Sequence, residues 1–430
     1  LPKKMKLSAD QSDELPLCRH YVQRKKRFCK MTVAKGKEYC GEHNLPRSTA
    51  DQPNDPLQDD DDRIPCPLDS KHTVYKKNLK KHLTICNARP KDHPAYIVPG
   101  INSGSEDEDP AVEEVKISDV DPDYLEDLVK RIEQLYTATI KNQIEEVLAD
   151  HKIMSVELEK KEYGKETMKH IVQTSALLGY LEKFDMMQDQ TGFVEFGAGK
   201  GQVSYWLAQI IGKESNSKIF LIDRASHRHK KDNKLNNKDD SVFRIRADIR
   251  DFCPDKLDHL EGLQRIIGVS KHLCGAATDL ALRCLLQKTS IPISGFAIAV
   301  CCHHRCEWKP FLGKKFFIQN GFNKRDFLLM TKMASWAICG DGYSREKRRE
   351  MEEQNLTAVG STTKVNISRD RRAEIGNMCK RIIDYSRVDK MVGQNFACSL
   401  KFYVRKDVTL ENVCIIGKNK TTQKYIYLFT

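Results

Sequence analysis

Residues Phe193 to Gly201 read FVEFGAGKG, a short apolar run carrying one carboxylate that ends in glycines at 197, 199 and 201. Few folds are open to a chain with that junction. Three positions without side-chain bulk let the backbone turn sharply and approach a ligand closely. Around it, short apolar runs alternate with helical patterns: strands are expected at 192–196, 218–223, 242–247, 265–270 and 294–301, and helices at 163–184, 201–212 and 276–287. A polar, basic interruption at 342–372 precedes a further helix near 373–391. The alternation predicts an α/β domain over residues 160–430, a parallel sheet wrapped by helices.

On its own G-x-G-x-G is a weak signal that occurs in several nucleotide folds, and it can also be no more than a tight turn. Three carboxylates narrow it. Glu195 lies just before Gly197, Gly199 and Gly201, where it can hold an ammonium group directly or through the loop. Asp223 ends the next strand, 26 residues beyond Gly197, suitably placed for a ribose diol. Asp248 ends the third and can accept from an adenine amine. Such an acidic site is poor for a pyrophosphate, which speaks against NAD or ATP, and it suits S-adenosylmethionine as cofactor.

Strand four runs into VSKHLCGAATD (269–279) and strand five into AVCCHHRCEW (299–308). Ligands of open α/β sheets bind at the carboxyl ends of the strands. Lys271, His272, Cys274, His303, His304 and Arg305 are therefore expected to gather where a substrate meets the donor. A metal site built from Cys301, Cys302, His303, His304 and Cys306 is not expected, because consecutive strand residues point to opposite faces. The cysteines are expected to pack.

Ahead of this domain stand two Cys/His clusters. Cys18, Cys29, Cys40 and His43 have the spacing C-x10-C-x10-C-x2-H within a finger at 14–47. Cys66, His72, His82 and Cys86 have the spacing C-x5-H-x9-H-x3-C within a finger at 63–90. Each offers four zinc ligands in a segment too small to bury a core, so two zinc ions are expected to supply the missing folding free energy.

Of the formal charge of +12, residues 17–47 contribute +7 and residues 66–91 contribute +6, so the remainder nearly cancels. Cations concentrated in the fingers, including RKKR at 24–27 and Lys76, Lys77, Lys80 and Lys81, are the footprint of a polyanion binder. Tyr21, Phe28, Tyr39 and Tyr75 are interleaved with them, which suits RNA. The basic run also reads as a nuclear import signal, so nucleus or cytoplasm is expected.

The fingers are separated by the Pro- and Asp-rich stretch DQPNDPLQDDDD. A second acidic linker, disordered, is expected at 91–121, then an amphipathic helical segment at 122–150 that braces the next domain rather than pairing as a coiled coil. No apolar run reaches the ~18 residues of a membrane span. The fifteen cysteines, without an export signal, fit a reducing compartment. The sequence begins with Leu, so a start further upstream is expected.

The ordered motifs CGEH (40–43), CPLDSKHTVYKKNLKKHLTIC (66–86), KHIVQTS (169–175), FVEFGAGKG, KHLCGAATDLALRCL (271–285), CCHHRCEW (301–308) and MASWAICG (333–340) resemble the eukaryotic tRNA 2′-O-methyltransferases that modify nucleotide 4 of the acceptor stem. The second finger is also similar to those of spliceosomal RNA-binding proteins. The resemblance implies a Rossmann-like methyltransferase domain, S-adenosylmethionine as donor and the tRNA acceptor stem as partner. It does not identify the base, since strands four and five offer Lys-His and His-His instead of the Lys-Asp-Lys-Glu set of other ribose methyltransferases. Lys271 or His303 is expected nearest the 2′-hydroxyl, with Lys169 a further candidate. Arg305 and the loop RASHRHKKDNK (224–234) are expected to hold flanking phosphates. A zinc-finger scaffold with an inactive methyltransferase-like domain, or a methyltransferase acting on DNA or protein, stays open on the residues.

Overall fold

The computed structural model describes residues 16–22, 27–33, 36–40, 43, 63–86, 88–89, 93–104, 115–212, 215–235, 241–339 and 367–421. Most of the basic run at 24–27, the linker at 51–62, residues 105–114 of the acidic stretch and 342–366 of the basic interruption lie outside these residues. The chain divides into two compact units, Leu1–Asp92 and His93–Thr430.

In the first unit β1 (Tyr21–Val22) and β2 (Arg27–Phe28) pair antiparallel, with Cys18, Val33 and Cys40 as a small buried centre. A second antiparallel ribbon joins β3 (Arg63–Cys66) to β4 (Asp69–Tyr75) and leads into α1 (Leu79–Ile85), which has no buried residue. So little apolar burial cannot offset the chain entropy of ordering either segment.

The second unit starts earlier than its expected boundary. Asn102 is 1% exposed and its amide donates to the carbonyls of Ile249 (2.6 Å) and Phe252 (2.9 Å). Ile97 bridges to Phe252. Residues 93–104 are thus built into the domain, contrary to the expectation of linker from 91. Next comes α2 (Pro122–Thr139), capped by the Asp121 carboxylate, which accepts from the Asp123 and Tyr124 amides. Leu125, Leu128 and Ile132 fill one face of α2 and pack with Phe311, Phe317 and Phe327. The helical segment expected to 150 stops at Thr139. Asn142 takes φ +65°, and the chain continues extended as β5 (Glu145–Glu146). The apolar spacing of Ile144 and Val147 mimicked another helical turn.

Then follow α3 (Ser155–Leu158), α4 (Lys165–Lys183), β6 (Thr191–Phe196), α5 (Gln202–Ile211), β7 (Lys218–Asp223), β8 (Val242–Arg246), β9 (Arg265–Cys274), α6 (Ala276–Leu285) and β10 (Ile293–Cys301). The chain closes with α7 (Lys314–Gln319), α8 (Lys324–Ala334), α9 (Trp336–Cys339), α10 (Arg369–Val392), β11 (Phe396–Phe402) and β12 (Val413–Asn419). Among the described residues one eight-stranded sheet has the order β5-β11-β12-β10-β9-β6-β7-β8. The five expected strands are parallel, while β12 runs antiparallel to both β10 and β11. Side chains alternate across it: Phe193, Ile219 and Leu221 face α4 and α5, whereas Val194, Phe220 and Ile222 face α6. Both faces are covered, as expected for parallel strands. Among the described residues no helix is long and apolar enough to cross a membrane.

Candidate functional site

The loop after β6 needs its glycines for different reasons. Gly197, Gly199 and Gly201 have φ of +63°, +53° and +70°. A Cβ on Gly201 would lie 2.7 Å from Asp232 Oδ1 and 2.8 Å from Arg244, so that position is closed by packing. A Cβ on Gly199 would meet only the Gly197 carbonyl at 4.0 Å, so the loop there faces open space. Asp223, at the end of β7, accepts from the Gly199 amide at 2.7 Å and from the Ala225 amide at 2.8 Å. Arg244 donates to the Gly199 carbonyl at 3.0 Å and pairs with Asp232 at 2.7 Å. One residue of the expected phosphate-binding loop therefore braces the glycine turn.

Beside this turn lies a cavity of about 670 Å³, bounded by Gly197, Asp223, Asp248, Cys274, His304 and Arg305 among others. Asp248 lines it and caps its own turn by accepting from the Arg250 amide at 3.0 Å. Glu195 is behind the loop, 3% exposed, and accepts from the backbone (3.0 Å) and the hydroxyl of Ser204 in the first turn of α5. Burial raises its pKa to about 7, against the Ser204 hydrogen bonds and the Lys271 charge. Any influence of Glu195 on a ligand therefore passes through the loop.

The residues expected at the reacting hydroxyl separate in the structure. In β9 the register slips by one between Ser270 and Leu273, opposite Ile298 and Val300 of β10. A bulge of this kind re-aims side chains. Lys271 turns to α4 and α5 and donates to the His170 carbonyl (3.3 Å), Thr174 Oγ1 (3.2 Å) and Gln202 Oε1 (3.2 Å). Burial lowers its pKa to about 8, opposed by Glu195. Three acceptors suit an ammonium, not a free base. His272 meets Gln173 Oε1 at 2.9 Å, and burial, then Lys271, lowers its pKa to about 4. Thus KHIVQTS on α4 contacts KH on β9. Lys169 stays on the partly exposed side of α4, 3.8 Å from Glu166.

His303 corrects the sequence expectation. It is 2% exposed and its Nε2 lies 2.7 Å from Asp384 Oδ1, in the core and not on the cavity lining. His304, the next residue, lines the cavity in its place. Asp384 also receives Arg381 (3.2 Å) and Arg387 (3.1 Å), and Arg387 donates to Asp279 of α6 at 2.6 Å. Sequence reading missed Asp279, Asp384 and Arg387. Their only signal was charge at every third position of α10, at 381, 384 and 387, which is also what a solvated helix face looks like.

The two finger clusters are drawn together as zinc requires. Bonds of ~2.3 Å to sulfur and ~2.0 Å to nitrogen set tetrahedral edges near 3.8 Å for two sulfurs and about 3.5 Å for mixed pairs. The Cys29 and Cys40 sulfurs are 3.9 Å apart, and His43 Nδ1 is 3.4 Å from Cys18 and 3.3 Å from Cys40. In the second finger the Cys66 and Cys86 sulfurs are 3.8 Å apart, with His82 Nε2 3.2 Å from Cys66 and His72 Nε2 3.5 Å from Cys86.

Comparison with known proteins agrees with this layout. Residues 172–418 match the family model Methyltransferase TRM13, 16–44 match CCCH zinc finger in TRM13 protein, and 63–87 match U11-48K-like CHHC zinc finger. A mouse protein named tRNA:m(4)X modification enzyme TRM13 homolog is 32% identical, covering 93% of this chain and 93% of its own length. A Scheffersomyces stipitis protein, tRNA:m(4)X modification enzyme TRM13, is 32% identical over 91% of this chain and 98% of its own. A solved coclaurine N-methyltransferase aligns with 70% of this chain and 88% of its own at 13% identity, with a TM-score of 0.28. Both N-terminal clusters are zinc fingers, and the chain belongs to the TRM13 methyltransferase family.

Proposed function

We propose that the chain is a tRNA ribose 2′-O-methyltransferase that uses S-adenosylmethionine and acts at nucleotide 4 of the acceptor stem. The observation that carries this reading is the glycine loop tied to Asp223 at the mouth of the strand-end cavity, with open space at Gly199. The relatives' names support tRNA as substrate and position four as the site. In this reading Asp223 receives the donor's ribose hydroxyls, Asp248 its adenine amine, and the backbone of 197–201 its amino-acid end. The donor supplies an already activated methyl group, which a ribose 2′-oxygen attacks.

The protein's own contribution is alignment and removal of a reluctant proton, the first worth several kcal/mol and the second ~10²–10⁴-fold. Lys271 joins α4, the start of α5 and the β9 bulge, and so fixes the wall beside the donor. His304 is the imidazole available to take the hydroxyl proton, while Arg305 and Lys169 hold flanking phosphates. In the fingers, exposed Phe28 and Tyr21 offer stacking surfaces, and Lys76 and Lys80 offer cations.

Labelled methyl transfer to tRNA, DNA and protein in parallel tests the proposal, with the modified nucleotide then mapped. Transfer to tRNA alone, leaving nucleotide 4 resistant to alkaline cleavage on its 3′ side, is the expected outcome. Transfer to none, or to DNA or protein, overturns it.

A further inference from the structure

At the carboxyl ends of β9 and β10 three thiols converge. The sulfurs of Cys274, Cys301 and Cys302 all lie within 4.8 Å of one another. Among the described residues, the two zinc fingers' ligand sets are drawn together in the same way. The convergence is contrary to strand geometry, in which Cys301 and Cys302 should point to opposite faces. It arises because Cys302 leaves the strand with φ +51°, a left-handed conformation uncommon for a residue with a side chain. Cys274 arrives from the neighbouring strand, in register with Cys301. Gly275 lets the two turns close up: its φ is +57°, and a Cβ there would lie 2.4 Å from the Arg305 backbone.

We propose that Cys274, Cys301 and Cys302 form a third metal site, which takes a thiophilic divalent ion, zinc, as three thiolates. A disulfide would use two of these sulfurs and leave unexplained why the left-handed Cys302 brings in a third. The Cys274 and Cys301 sulfurs are 3.3 Å apart, whereas the finger pairs are at 3.8 and 3.9 Å. An opening of about half an ångström reaches the edge of a zinc–thiolate tetrahedron. Three protein ligands leave the fourth position to water or a bound substrate, as in zinc sites that keep an exchangeable position. Cys274 also lines the strand-end cavity, so that position borders the proposed donor site. Each thiol loses its proton on binding, and no electron is transferred.

The test is the zinc content of the full chain, purified with a phosphine reductant and measured by plasma mass spectrometry. About three zinc ions per chain are expected, falling to about two in the Cys274→Ser/Cys302→Ser double variant and independently to about two in Cys86→Ser. Cobalt exchanged into Cys86→Ser should show the thiolate-to-metal charge transfer of two three-thiolate sites, the first finger and this one, and about half of that intensity should be lost when Cys274→Ser and Cys302→Ser are added. Two zinc ions in the native chain, or three retained in the double variant, overturns the site whether or not the variant folds well. So does a peptide map, made after thiol alkylation, showing Cys274 and Cys301 joined as a disulfide under reductant. None of these readouts depends on methyl transfer, so the site and the proposed activity fail separately.

Discussion

His303 and Asp384 stand 81 residues apart in sequence and 2.7 Å apart in the core, where their pair fastens the turn after β10 to the middle of α10. Arg387 extends the link from Asp384 to Asp279 at the start of α6. Two walls of the cavity are therefore held by one buried ion cluster.

Removing one member of such a cluster leaves a buried charge uncompensated, which typically costs about 3–5 kcal/mol. Asp384→Asn should lower stability by about 3 kcal/mol in urea unfolding. The sign with pH is also determined. Burial alone would raise the Asp384 carboxyl, but His303, Arg387 and Arg381 hold its pKa down to about 2, below the ordinary 3.8. Its contribution is present above pH 3.8 and is lost as pH falls through about 2. The difference between native protein and Asp384→Asn should shrink over that window. A difference that stays constant would show that Asp384 contributes no such linkage.

Gly199→Asp should abolish donor binding measured by calorimetry with S-adenosylhomocysteine, because a carboxylate would fill the open face of the loop. Asp223→Ala should weaken binding by about 10–100-fold, through loss of the acceptor proposed for the donor's ribose and of the hydrogen bond that holds the Gly199 amide. Unchanged affinity in both variants would remove the loop from the donor site.

Lys271 offers a pH test of a positioning role. Below about 8 its ammonium can serve all three acceptors; above that it loses one donor and the charge that balances Glu195. Turnover should fall as pH rises through about 8, and the inflection should vanish in Lys271→Met. If Lys271 were the base, turnover would rise over the same interval.

Cys86→Ser should release about one zinc and weaken tRNA binding, while affinity for S-adenosylhomocysteine stays within about twofold. His304→Ala should lower kcat about 10²-fold or more with donor affinity kept, whereas His303→Ala should mainly lower Tm. Equal loss of turnover at native stability in both variants would contradict the division drawn between the two histidines.

The parallel half of the sheet was legible because buried strands read as apolar runs closed by turn residues. The run KIFLID was expected and found at 218–223. The glycine loop, Asp223 and Asp248 followed from where strands end. What could not be read is set by single-residue departures from regular geometry. The β9 bulge turns Lys271 away from the cavity, and the left-handed Cys302 breaks the alternation expected of consecutive strand residues. β11 and β12 were missed because Lys401, Lys418 and other polar residues interrupt their apolar pattern. The inward charges of α10 were invisible for a related reason: a buried ion cluster and a wetted surface use the same letters.

The segment 93–104 seals one side of the sheet, with Asn102 wedged between Ile249 and Phe252 and joined to Gln287 at 2.7 Å. Cutting the protein at 160, where the alternating pattern begins, would strip that plug and strand the carbonyls it satisfies beneath the turn that carries Asp248. An autonomous methyltransferase fragment must therefore begin upstream of Tyr96, whose carbonyl accepts from the Cys253 amide at 2.9 Å.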